Sequence, residues 1–167
     1  MKNTRTRIAL TLLLAAAFLF AAGCTQSDRP LLGYQDTLVS ADVSDGTHTW
    51  RISPTDGGFT AVILTPPEAE GVTFLLTDVS SSVSLADVTV PVSDKMTAGA
   101  RRLAALFTLD EARISEVRPD KDTQTVRARV RTDEGEITVT LGKDGIPVSF
   151  ETSNGTVTVL SYEAKAE

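Results

Sequence analysis

Cys24 is the only thiol in this 167-residue chain and His48 its only imidazole. Covalent catalysis needs a thiol or hydroxyl held beside a base, so any histidine-based triad here must run through His48. That residue sits in "HTWRISP", where His48, Trp50 and Ile52 alternate with polar neighbours, and it reads as an ordinary strand residue. A zinc site wants several Cys or His ligands, which one of each cannot supply. Neither a phosphate-binding loop nor a dinucleotide glycine pattern is present. Two acid clusters remain: Asp120 and Asp122 around Lys121, and Asp133, Glu134 and Glu136. Neither has the ligand spacing of an EF-hand loop, and both read as solvated turns between strands. Paired carboxylates serve glycoside hydrolysis, but Trp50, Tyr34 and Tyr162 are few aromatics for a sugar platform. Arg127, Arg129 and Arg131 recur with period two as a one-sided basic stripe, expected to face acids on neighbouring strands such as Glu136. The expectation is a non-enzymatic protein with no metal and no cofactor.

The position of Cys24 points to a different chemistry. "MKNTRTR" carries Lys2, Arg5 and Arg7 and no acid; Ile8 to Ala22 is apolar apart from Thr11; "AAGC" follows. A basic stretch, an apolar stretch and small residues are the three parts of an export signal. The apolar run of 15 residues reaches about 22 Å as a helix, short of the roughly 30 Å hydrocarbon core. "AAGC" resembles a bacterial lipobox with Ala21 in place of the commoner Leu, which implies lipid attachment at Cys24. A lone cysteine in an exported chain has no intramolecular disulfide partner, and acylation accounts for it. Residues 1–23 are therefore expected to be a lipoprotein signal peptide. The protein is then held to a membrane on the extracytoplasmic side of the cell envelope by its N-terminal lipid. Loss of Lys2, Arg5 and Arg7 moves the net charge from −6 to −9, and such an acidic body has no electrostatic footprint for nucleic acid. The protein partner is not specified by the sequence.

The elements follow from periodicity. Residues 24–37, polar with Pro30 and Gly33, read as a tether, and residues 38–167 as one domain. Period-two alternation predicts strands in "LVSADVS", "HTWRISP", "GGFTAVILTPP", "GVTFLLTD", "SSVSLAD" and "VTVPVS". Apolar parity flips between Leu85 and Val88, which requires a tight bend or bulge near Asp87. Pro91 lacks an N–H, so its strand lies on an edge or ends there. Met96, Ala100, Leu103 and Phe107 fall instead at helical spacing, predicting a helix over about 94–109 with Ser93 as N-cap. Strands return in "TVRARVR", "EITVTL", "IPVSFET" and "TVTVLSYE", joined by short polar links, as an antiparallel meander. The fold class expected is mainly β (α+β): a curved antiparallel sheet wrapped around one helix.

This order of elements, with "VILTPP" (residues 62–67) before the helix and "DGIPVSF" (residues 144–150) after it, resembles the lipoprotein-carrier (LolA/LolB-like) superfamily. The resemblance implies a half-barrel whose concave apolar face, lidded by helix, holds lipid or acyl chains, and it carries over no catalytic residue. The N-terminal helix usual in that superfamily is not evident over residues 25–36. One helix is also little cover for so much aliphatic strand surface, and an uncovered apolar remainder marks a site. The apolar groove is expected at Trp50, Phe74, Leu76, Leu103, Phe107, Val139 and Phe150. The rival expectation is a closed core, filled by the protein's own helix, in an envelope lipoprotein that works through protein contacts.

Overall fold

The computed structural model describes residues 30–166, so the expected signal peptide (residues 1–23) and Cys24 lie outside the described residues. Eleven antiparallel strands form one curved, unclosed sheet in the order β6-β5-β4-β3-β2-β1-β11-β10-β9-β8-β7. The first six run outward as a meander: β1 Leu38–Ser44, β2 Thr49–Thr55, β3 Gly58–Thr65, β4 Thr73–Thr77, β5 Ser81–Leu85 and β6 Val88–Pro91. Helix α2 (Asp94–Ala105) then crosses the concave side. The last five strands meander back: β7 Ile114–Asp120, β8 Thr125–Thr132, β9 Gly135–Leu141, β10 Pro147–Thr152 and β11 Gly155–Ala164. Pairing of β11 with β1 joins the two halves. The sheet therefore wraps a single α2, as the apolar patterning requires.

The turn after Leu85 explains the parity flip. Leu85 pairs directly with Val88 across a two-residue turn that holds Ala86 at φ 50°, so residues three apart share a face. Pro91 ends β6 at the sheet's edge, where a missing N–H costs no ladder bond.

Five local expectations are corrected. The helix stops at Ala105 rather than near 109. Its buried face is Thr97, Ala100, Leu103 and Ala104, continued by Phe107, while Met96 is 69% exposed. Thr97 can replace an apolar residue there because its hydroxyl donates to Ser81 Oγ and to the carbonyl of Asp94, each at 3.3 Å. Ser93 precedes the helix in extended conformation but makes no side-chain cap bond. A register shift between Leu38 and Ser40 in β1 turns Leu38 rather than Val39 into the core. Finally, the packed body begins before residue 38. Leu32 and Tyr34, within the expected tether, are only 4% and 5% exposed, around a one-turn helix α1, Tyr34–Thr37.

Candidate functional site

Cross-strand partners share a face of the sheet, so the pairing register maps the concavity. One row runs Ala41, Ile52, Ala61, Phe74, Val83, Val90 from β1 to β6. The other half carries Val157, Phe150, Val139, Ala128, Val117 from β11 to β7. Both rows are buried at the centre and both end exposed at the sheet edges.

All seven residues expected to line a groove fall in one apolar cluster. Trp50, Leu76, Leu103, Phe107, Val139 and Phe150 are buried in it, and half-buried Phe74 packs against it. Phe107 fills the centre, with Tyr34 and Phe150 edge-on at ring-centroid distances of 6.3 and 5.5 Å. No open groove separates α2 from the strands at Val139 and Phe150, which are wholly buried.

Open apolar surface lies further along the sheet. Toward the β6 edge the first row continues through half-buried Phe74 and Val83 to Val90, 47% exposed. Leu85 and Val88, two residues on, take the same face by the pleat and are 54% and 66% exposed. Trp50, Ile63 and Val72 form the inner end of this second row, since Val43 pairs with Trp50, Trp50 with Ile63, and the Ile63 N–H donates to the Val72 carbonyl. The result is an apolar trough, β2 to β6, buried at its inner end and open at its outer end. Trp50 and Phe74 stand where it enters the core, their rings 5.7 Å apart. Matching apolar parity in both arms of the β5–β6 hairpin was the sequence signal for Val83, Leu85, Val88 and Val90.

An open cleft of about 1180 Å³ lies elsewhere, between the outer side of α2 and the tips of the C-terminal hairpins. Its walls are mixed, with Leu106, Leu109, Ile137 and Val157 beside charged Arg102, Arg131 and Glu134, and of the expected groove residues only Leu103 reaches it.

The remaining candidates for chemistry are engaged in structure. His48 Nδ1 stands 3.9 Å from Asp45 Oδ2, and its ring lies against Trp50 at 5.6 Å. Burial raises the pKa of Asp45, but N–H donors from His48, Thr47 and the Trp50 indole outweigh it and hold the carboxyl below the usual range. Asp120 accepts turn N–H bonds from Thr123 and Asp122, which lower its pKa. Asp133 pairs with Arg113 at 2.8 Å. Arg129 lies 3.5 Å from Glu116 and 3.8 Å from Glu136, the facing acids expected of the arginine stripe. Among the described residues, no group of three or more His, Cys, Asp or Glu is placed to hold a metal ion.

No family model matches the chain, and no curated protein matches it. An uncharacterized conserved protein from Thermus thermophilus is similar in structure over 85% of this chain and 90% of its own, with a TM-score of 0.48 and 15% identity. The Mycobacterium tuberculosis lipoprotein LppX is similar over 84% of this chain and 99% of its own, with a TM-score of 0.35 and 16% identity.

Proposed function

We propose that this protein is a non-enzymatic lipoprotein of the cell envelope, anchored through Cys24, that holds a lipid or another apolar chain on the concave face of its half-barrel. The observation that carries the reading is the trough: two apolar rows leave the core and continue, uncovered, to Val88 and Val90 at the sheet edge. Exposed contiguous apolar surface is costly in water and marks a binding surface. An acyl chain laid across it removes that surface from water without requiring any polar partner.

The chain's single tryptophan stands at the inner end, so occupancy is readable by its fluorescence. Titration of the purified protein with cis-parinaric acid should give saturable quenching of Trp50. Leu85→Asp in the trough should weaken binding at least tenfold, whereas Leu160→Asp on exposed β11 should leave it unchanged. Absence of saturable quenching in the parent overturns the reading.

A second reading has its own support. Phe107 and Phe150 fill the concavity under α2, which favours a closed-core lipoprotein acting through protein contacts. Under that reading cis-parinaric acid does not bind.

A further inference from the structure

Helix α2 is fastened at its two ends by different chemistry. At its start, Thr97 and Arg101 both donate to Ser81 Oγ, at 3.3 and 2.7 Å, and Arg101 also donates to the Thr77 carbonyl at 3.0 Å. Those bonds tie the first turns to β4 and β5. At the exit the chain makes one more turn, with the N–H groups of Leu106, Phe107 and Thr108 donating to the carbonyls of Leu103, Ala104 and Ala105. A helix leaves its last carbonyls without intrahelical partners. Here the partners beyond the helix come from residues 31–37. The Tyr34 hydroxyl donates to the Leu106 carbonyl at 3.1 Å, and Gln35 Nε2 donates to the Leu109 carbonyl at 3.0 Å. The Leu31 N–H donates to Glu111 Oε1 at 2.8 Å. The same segment is clamped to the end of the sheet. The Tyr162 hydroxyl donates to the Tyr34 carbonyl, and the Lys165 N–H donates to the Thr37 carbonyl.

We propose that residues 31–37 are a latch that decides whether the exit of α2 stays seated on the sheet. Latched, Phe107 plugs the concavity. Released, residues 106–109 lift, and Phe107, Phe150 and Val139 change from core to open groove, continuous with the trough at Phe74. The consequence for ligand rests on the reading of the trough as an apolar site; the latch itself does not. Cys24 stands seven residues before Leu31, so a load on a lipid anchor there would reach Leu31 and Tyr34 before any strand. The latch thereby couples the position of the body relative to its membrane with the depth of the site.

The test is hydrogen exchange on the full chain. Tyr34→Phe removes the bond to Leu106 while keeping the ring between Phe107 and Phe150, and Gln35→Leu removes the bond to Leu109 without touching the buried ring. In each, the amides of Leu106, Phe107 and Thr108 should exchange at least tenfold faster, with Ile52 and Val139 in the sheet unchanged. Unchanged exchange at residues 106–108 in both variants overturns the latch. So does equal acceleration in the sheet, which would make Tyr34 a general core support. cis-Parinaric acid is then added to the same proteins. Faster exchange with no binding in any protein leaves the latch standing and removes the ligand reading; binding with unchanged exchange does the reverse.

Discussion

The ring of Phe107 meets that of Phe150 edge-on, with centroids 5.5 Å apart and planes at 69°. Phe107 comes from the turn after α2 and Phe150 from β10, 43 residues away by their numbers. The contact packs the exit of the helix against the C-terminal half of the sheet.

Truncation along α2 should therefore divide sharply by face. Phe107→Ala removes a ring with almost no exposure and should cost about 3–5 kcal/mol, and Leu103→Ala about 2–5 kcal/mol. Met96→Ala, on the exposed face, should stay within about 0.5 kcal/mol. Urea melts followed by far-ultraviolet dichroism measure all three. A Leu103→Ala loss as small as that of Met96→Ala would show that the helix is not seated as described.

Two glycines should respond in opposite directions. A Cβ added at Gly58 would lie 1.9 Å from the Leu76 carbonyl oxygen, so Gly58→Ala must push β3 from β4 where they pair. It should cost at least the ~1–3 kcal/mol usual for overpacking. Gly99 on α2 has nothing within 4 Å of the added atom, and Gly99→Ala should stabilise by about 0.5–1 kcal/mol through helix propensity alone. Shifts of one sign in both variants would contradict the packing.

Ten of the eleven strands were legible as period-two alternation, because a half-buried strand must alternate. The exception, β7, reads "ISEVRPD": it is an edge strand with a register shift between Ile114 and Glu116 and an internal Pro119, so few of its positions have to be apolar. The packed strap at residues 31–37 was hidden for another reason. Buried Tyr34 meets partners far along the chain, its hydroxyl bonding Leu106 72 residues away and its ring lying against Phe150, and nothing local in "RPLLGYQD" marks that. In the candidate site the membership of the cluster was legible, all seven residues falling together. Which part of it stays open was not. That depends on how far α2 reaches across the sheet, a matter of helix length and angle rather than pattern.

Lipidation at Cys24, outside the described residues, is checked in cells of a bacterium that acylates lipoproteins. Labelled palmitate should enter the parent and should not enter Cys24→Ala, which should remain uncut or appear in the soluble fraction. Label in the mutant, or none in the parent, would remove the anchor from the proposal.

Acid should loosen the β1–β2 turn through two carboxylates. Asp42 is held below the usual carboxylate range first by its bidentate pair with Arg51, at 2.7 and 2.9 Å, against a smaller opposing effect of burial. Asp45 is held low by N–H donors that overcome its burial, one of them the Trp50 indole at 3.1 Å. A carboxyl whose folded pKa is depressed binds fewer protons folded than unfolded. Its contribution is therefore complete above the unfolded value of about 3.9 and is lost as pH falls through the lower folded value. Stability should be level near neutrality and decline below about pH 4. Asp45→Asn keeps an acceptor for the turn but has no charge to titrate. It should be less stable than the parent at pH 7, and the gap should narrow as pH falls toward 2. The measurement is the urea midpoint of both proteins across that range, followed by Trp50 emission. Parallel curves for parent and Asp45→Asn, with a constant gap at every pH, would show that Asp45 does not act through its charge.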